Sequence, residues 1–448
     1  MSLFSSLRRE QREAIGLLQI GTFLEYFDLM LYVHMAVLLN DLFFPKTDPH
    51  TATLLSAFTF CSVFVFRPFG ALLFGYLGDH IGRKATVVIT TMMMAASCIV
   101  IANLPTYAQI GMTAAWIMIF CRVLQGLSSM GEVIGAQIYI TEIIKPPAQY
   151  PAMGFLVCAN VFGSLMALAV ASLATTSGLN WRLAFWVGTG IALVGSVART
   201  RLRETPDFVD MKRRMKKAIE ESSRDGLEKA SALLKSTNIL FKEKSNPKSA
   251  VALFLIQSGW PVSFYFTYMY CGNILKTNFQ YTPGEVIKHN FFVAIIELIS
   301  AILFTILSYK IFPLKLLKFR ALVVSPFILL CPYLLTHISS PFYLFLIQSF
   351  FIFFAFSSNP AYSIFYIHFP IFKRFTWICS LFAMSYALMY IITSFGLVYL
   401  TELFGHYGVL IIMTPVVFGF LWGIHHFENL EREAQHDNPE TAFRRQTA

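Results

Sequence analysis

Charge is what this chain has least of. Only 13% of its 448 residues are Asp, Glu, Lys or Arg, while 56% are hydrophobic. Soluble domains carry about 25% charged residues, so a string of ordinary soluble domains is excluded. No CxxC pair, HExxH run, GxxxxGK[ST] loop or His/Cys cluster at metal-ligand spacing occurs. Thiol-redox, zinc-hydrolase and P-loop chemistry therefore have no carriers, and we expect no metal, no cofactor and no enzyme. The seven cysteines (Cys61, Cys98, Cys121, Cys158, Cys271, Cys331 and Cys379) fall almost entirely inside apolar runs and read as small packing residues. The amino-terminal SLFSSLRREQRE leads straight into a long apolar run and does not read as a cleavable signal.

What the chain has instead is long apolar runs, with a mean hydropathy of +0.61. Twelve of them are near the ~20 residues that cross a bilayer: 15–44, 52–78, 85–103, 107–142, 152–176, 182–200, 249–275, 288–309, 319–336, 341–367, 375–401 and 406–427. The expected fold is an all-α membrane protein of twelve transmembrane helices in two six-helix bundles. Residues 1–200 form the first bundle, 201–248 a cytoplasmic linker, 249–430 the second bundle and 431–448 a short cytoplasmic tail. The first half is richer in Gly and Ala, the second in Phe, Ile and Tyr, and small residues allow close helix packing in lipid.

The net charge of +10 does not point to nucleic acid, because its placement follows the membrane. With twelve spans, Lys and Arg collect on one side at 8–12, 83–84, 145, 199–248, 310–320, 373–374 and 432–445. The other side has only Lys46, Arg182, Lys276 and Lys288, and Arg67 and Arg122 lie within spans. This bias predicts that both termini are cytoplasmic, in a bacterial-type inner membrane. In the linker, Thr205-Pro206 is a helix start, and Phe208, Met211, Met215 and Ile219 follow at helical steps. They predict an amphipathic helix lying on the inner surface.

The most informative observation is charge at mid-membrane depth, where each ion costs about 2.5–3.5 kcal/mol on insertion scales. At 1.5 Å per residue, Glu25 and Asp28 lie roughly 15 and 20 Å from the inner end of span one. Arg67 is roughly 18 Å above Asp79, Arg122 roughly 22 Å below the outer end of span four, and Glu297 roughly 14 Å down span eight. They share one layer. Glu25, Asp28 and Tyr32 recur on one helix face, as do Gln125, Ser129 and Glu132 with Arg122 one turn earlier. Buried acids can hold a proton and buried arginines a carboxylate; the blander reading is a set of packed ion pairs. Glu25, Asp28, Arg67, Arg122, Glu132 and Glu297 are therefore the candidates for proton coupling and substrate contact. Trp260-Pro261 and Asn359-Pro360 are places where a spanning helix could break.

Between spans two and three stands GYLGDHIGRK, Gly75 to Lys84, preceded by RPFGALLF from Arg67. It resembles the signature loop of the major facilitator superfamily. RVLQGLSSMGE, Arg122 to Glu132, resembles that superfamily's intramembrane arginine motif. EYFD (Glu25 to Asp28), FFP (Phe43 to Pro45) and RLRETPDF (Arg201 to Phe208) resemble the metabolite:proton symporter family within it. FPIFKRFT (Phe369 to Thr376) and ITSFGLVYLTELFGHYG (Ile392 to Gly408) are most similar to its proline/betaine branch.

The resemblance implies alternating access of the two bundles and symport of a small polar metabolite with protons. An organic-acid symporter, or a facilitator without proton coupling, is the alternative. Partners would be a small-molecule substrate, protons and the lipid bilayer, with no nucleic acid, and the chain would act as a monomer. It also implies a cytoplasmic latch of Gly75, Gly78, Asp79, Gly82, Arg83 and Lys84, with Glu142 as the partner of Arg83. The sequence departs from the pattern after span eight, where SYKIFPLKLLKFR (Ser308 to Arg320) lacks the acid and glycines of a second loop. Gln149-Tyr150 replace the usual basic residue, and span five has no GPxxGG run of the antiporter kind. After Leu430 there are no heptads, so a coiled-coil osmosensor is not expected.

Overall fold

A backbone crossing lipid must satisfy its own N–H and C=O groups, and every regular element among the described residues is helical. The computed structural model describes residues 9–45, 49–81, 83–129, 132–176, 180–200, 246–370 and 374–437. The linker's predicted amphipathic helix lies outside them.

The first bundle contains α1 (Arg9–Phe43), α2 (Pro49–Ile81), α3 (Arg83–Asn103), a fourth span in pieces, α7 (Gln149–Thr176) and α8 (Arg182–Thr200). The fourth span consists of α4 (Tyr107–Ile110), α5 (Met112–Ser128) and α6 (Glu132–Ile143). Gly111 separates the first two pieces with φ +61°, a backbone conformation that suits glycine. In the second bundle, α9 (Pro247–Phe264), a π-helical turn (Tyr265–Tyr270) and α10 (Cys271–Asn278) form one span. Then come α11 (Pro283–Leu307), α12 (Pro313–Thr336), α13 (Pro341–Phe353) with α14 (Tyr362–Tyr366), α15 (Arg374–Phe404) and α16 (Gly408–Asp437). Together these make the twelve expected spans.

Local chemistry sets the ends. Asn246 Oδ1 accepts the Lys248 N–H at 3.0 Å, with Pro247 opening α9. Thr282 and Glu285 cap α11 reciprocally, the Glu285 carboxylate taking the Thr282 N–H at 2.8 Å. The two predicted breaks part ways. Asn359-Pro360 does interrupt its span, in the non-helical stretch between α13 and α14. Pro261 stays inside α9, and the irregularity comes four residues later as the π-helical turn. A third difference is the start of α12, at Pro313 and not near 319. Leu314, Leu316 and Leu317 are buried and Pro313 takes the first turn, so Arg320 sits two turns inside a helix.

In the first bundle α1 packs on α7, α3 on α8 and α2 on α5; in the second, α9 packs on α15 and α16. The two most extensive contacts between the halves are α7 with α11 and α2 with α15, with smaller ones of α6 with α14 and α15. Large apolar side chains such as Leu72, Trp116, Leu329, Phe342 and Phe418 face outward, as a lipid-facing surface requires. Backbones meet where side chains vanish. A Cβ on Gly126 of α5 would run into the Val63 carbonyl of α2, and one on Gly70 into the Leu127 carbonyl. Between halves, a Cβ on Gly154 would strike the Thr305 side chain.

Overpacking a tight core costs about 1–3 kcal/mol. Gly126→Ala should therefore lower the thermal unfolding midpoint of the purified protein by several degrees. Gly190→Ala, with nothing within 4 Å of its new methyl, should leave it unchanged or raised. Equal midpoints for the two variants would show that α2 and α5 do not meet at the backbone.

Candidate functional site

The mid-membrane charges do not form one ion-pair cluster. Arg122 of α5 is wholly buried, its guanidinium lying 3.6 Å from the centroid of the Tyr32 ring on α1. Its Nη1 donates to Gln125 Oε1 at 2.7 Å, and Nε and Nη2 make no hydrogen bond. Arg67 of α2 is also buried and lies over Phe64 at 4.6 Å. Neither arginine is within 4.0 Å of a described carboxylate.

Glu25 and Asp28 diverge. Three residues advance a helix by about 300°, and here that is enough to send the two acids to different neighbours. Glu25 and Tyr26 line a small space between the halves with Arg67, Ser129, Val133, Ile134 and, from α15, Phe382. Its volume is about 10 Å³, no more than one water needs. Asp28, also buried, faces α8, where a methyl on Gly188 would stand 3.5 Å from its Oδ1. Asp28 is thus part of the first bundle's interior. α5 ends at Ser128 and α6 begins at Glu132, with residues 130–131 outside the described residues, so the expected shared face of Gln125, Ser129 and Glu132 is described only as far as Ser129. The Glu132 side chain lies outside what is described.

Glu297 of α11 stands elsewhere, buried in the second bundle. Tyr268 of the π-helical turn donates its hydroxyl to Glu297 Oε2 at 2.5 Å, and no described cation is within 4.0 Å of Glu297. The Tyr268 ring meets His34 of α1 edge-on at 5.4 Å, and His34 Nε2 bonds Ser164 Oγ of α7 at 2.9 Å. Glu297 is therefore one aromatic ring away from the first bundle. The sequence marks Tyr268 only as one of several polar residues that could line a cavity; its pairing with Glu297 was not legible there, because the π-helical turn aims that hydroxyl at α11.

Aromatic rings from both halves close over the Glu25–Arg67 space. Phe64 packs on Tyr390 at 3.9 Å, and Phe60 on Tyr390 and Tyr265 at 5.1 and 5.3 Å. Further out, Lys276 pairs with Asp41 at 3.0 Å and His50 with Glu402, both across the bundles. At the inner end Tyr366 donates to Gln137 at 2.7 Å, and Arg374 pairs with Glu142 at 3.0 Å. Below these contacts opens a cleft of about 180 Å³ lined by Glu142, Lys145, Gln149, Tyr150, Ile364, Ile367 and Glu431.

Glu142 has a described partner that the sequence did not suggest, Arg374 of α15, which the fold brings across from the other bundle. The Arg83 side chain, the partner implied by the resemblance, lies outside the description. Gly82 lies outside the described residues. Gly75, Gly78 and Asp79 are in the last turns of α2 and Arg83 and Lys84 open α3, but their side chains, and with them the latch, lie outside the description. Arg320 is a residue the sequence misassigned. Buried in α12, it lies over Phe304 at 4.6 Å, with Nη1 reaching the Asn359 carbonyl at 3.5 Å. The proline–leucine start of α12 was the signal that would have placed it inside a span.

Known proteins match this arrangement. A proline/betaine transporter of Salmonella typhimurium is 29% identical over 287 residues, 61% of this chain and 55% of that protein. The glycine betaine/proline/ectoine/pipecolic acid transporter OusA of Dickeya dadantii is 33% identical over 224 residues, covering 48% and 44%. The inner membrane metabolite transport protein YhjE of Escherichia coli is 37% identical over 199 residues, covering 42% and 45%. The matched stretches span about half the length of these relatives. Among solved structures, a partially occluded inward-open form of the xylose transporter XylE from E. coli superposes with a TM-score of 0.70 at 15% identity, over 91% of this chain and 95% of that one. The human organic anion transporter MFSD10 superposes with a TM-score of 0.66 at 15% identity, over 94% and 100%. Such identities speak for the fold alone. The family profile matches residues 18–370, and with the twelve helices in two bundles this means that the chain belongs to the Major Facilitator Superfamily.

Proposed function

We propose that the protein is a secondary transporter that takes up a small zwitterion of the proline or betaine kind together with protons. The observation that carries this reading is the space between the bundles, where one acid, Glu25, and one base, Arg67, line the same small volume. A zwitterion presents the complementary pair of charges. The named relatives from Salmonella and Dickeya support the same substrate class.

The units that rock are residues 1–200 and 249–430, joined by the linker 201–248, in a bacterial inner membrane with both termini cytoplasmic. Glu25 and Arg67 contact the substrate, while Arg122 and Asp28 act from within the first bundle. Glu297 carries the proton. It is a buried carboxyl with no described cation within 4.0 Å, and through Tyr268 it abuts His34 of the other bundle. A carboxyl so placed can take up a proton when water reaches it and release it when the bundles move. Alternating access then means breaking the outer pairs, Lys276–Asp41 and His50–Glu402, and the inner pair, Arg374–Glu142, in turn. The monomer is the working unit.

An organic anion is the second reading. It is favoured by Arg67 and Arg122, which have no described carboxylate within 4.0 Å. Competition of dicarboxylates against proline and glycine betaine in the same assay separates the two.

In proteoliposomes with an imposed pH gradient, proline or glycine betaine should accumulate, and an uncoupler should abolish the accumulation. Accumulation that ignores the uncoupler would rule out proton coupling. Glu297→Gln should lose gradient-driven accumulation at least ~10-fold while keeping substrate counterflow; normal accumulation by this variant would move the proton elsewhere.

The inner pair is tested by exchange of charges. Glu142→Arg and Arg374→Glu should each impair transport, and the double variant should recover a coupling of roughly 0.5–3 kcal/mol. Strict additivity of the two losses in initial uptake rate would show that the pair does not act as a gate.

A further inference from the structure

The roles above leave one buried arginine among the described residues unused. Arg320 lies two turns inside α12 and is only 5% exposed. It has no described carboxylate within 4.0 Å. Its contacts are the Phe304 ring at 4.6 Å and, through Nη1, the Asn359 carbonyl at a long 3.5 Å. Its Nε has no hydrogen-bond partner at all. A buried guanidinium left without an anion is expensive, and neither a ring face nor one distant carbonyl neutralises it.

The cation faces the one place where a second-bundle span loses its helix, between Phe353 and Tyr362. Two further buried polar atoms of this span are unsatisfied: Ser363 Oγ, in the first turn of α14, and Asn359 Oδ1, an acceptor whose amide would have to flip to present its NH2 to an anion. Irregular backbone at membrane depth is tolerated where it lines a route or a site. This stretch borders one: Ile364 and Ile367, just beyond it, line the inner cleft of about 180 Å³. Asn and Ser side chains can donate hydrogen bonds, and Arg320 supplies charge and a planar fork.

We propose that Arg320, with Asn359 and Ser363 of the interrupted span, forms a carboxylate-binding subsite in the second bundle, on the inner side of the Glu25–Arg67 space. It is a second station for the substrate's carboxylate on its way to the inner cleft. The proposal rests on the transport reading but not on the substrate being a zwitterion. The carboxylate docks on the guanidinium, and the Ser363 hydroxyl and Asn359 amide turn toward it. A purely structural Arg320, stapling the broken span through its carbonyl, is the competing account.

The test is thermal unfolding of the purified full chain, titrated with glycine betaine, with its uncharged-head isostere 3,3-dimethylbutanoate, with succinate and with tetramethylammonium. The wild type should be stabilised by the carboxylates. Arg320→Gln should weaken carboxylate binding roughly 10- to 100-fold, the loss of a charge-assisted contact, and leave tetramethylammonium binding unchanged. Asn359→Asp is nearly isosteric and supplies a carboxylate beside the guanidinium. It should unfold at the wild-type temperature or above and bind carboxylates at least ~10-fold more weakly.

Four outcomes overturn the subsite: no stabilisation of the wild type by any carboxylate, wild-type carboxylate affinity in Asn359→Asp, wild-type affinity in Arg320→Gln, or an Arg320→Gln that only unfolds at lower temperature. Stabilisation by 3,3-dimethylbutanoate or succinate but not by glycine betaine would uphold the subsite and defeat the zwitterion reading.

Discussion

Three of the buried guanidinium groups among the described residues each lie over an aromatic ring: Arg122 over Tyr32, Arg67 over Phe64 and Arg320 over Phe304. A desolvated cation over a ring gains about 2 kcal/mol, which offsets much of the roughly 2.5–3.5 kcal/mol that a central charge costs on insertion scales. An ion pair would offset more, but it would cancel the charge. A ring stabilises the cation and leaves its field intact for whatever approaches. The electrostatics of both bundles depends on this choice, since no described carboxylate lies within 4.0 Å of these three arginines.

The carboxylates have their own arrangements. Glu25 borders the space between bundles, Asp28 faces Gly188 inside the first bundle, and Glu297 receives the Tyr268 hydroxyl in the second. Ion pairs are instead spent at the ends, where water and motion make them breakable. Lys276–Asp41 and His50–Glu402 cross between bundles outside, and Arg374–Glu142 crosses inside. The two outer pairs are exposed, and such pairs contribute around 0–1 kcal/mol each, whereas Arg374 of the inner pair is buried. Between them the Phe64–Tyr390 and Phe60–Tyr265 contacts close the middle with apolar surface, and the joined halves hold a space of only about 10 Å³.

Much of this was legible from residue order. The twelve spans follow from run length, the arginines at depth from their position along those runs, and the broken span from Asn359-Pro360. The places that resisted have specific causes. The fourth span reads as one apolar run, but Gly111 and the end of α5 at Ser128 cut it into three helices. Arg320 reads as a loop residue because apolar length alone starts its span too late; the proline turn at Pro313 sets the true start. The interval of three between Glu25 and Asp28 suggests a shared face, but a tightly packed bundle lets one helix offer them to different neighbours.

Composition and the order of apolar, charged and glycine residues therefore determined the class, the number of spans, the family resemblance and the approximate depth of the intramembrane charges other than Arg320. These are one-dimensional quantities: lengths, spacings and side-chain types measured against a slab of fixed thickness. Only the tertiary structure decided which charges meet. Glu142 pairs with Arg374 from 232 positions away, Tyr268 finds Glu297 through a π-helical turn, and Arg320 reaches the interrupted span. Contacts between distant segments depend on helix rotation and on where backbones can touch, and neither is written in the local pattern of any one span.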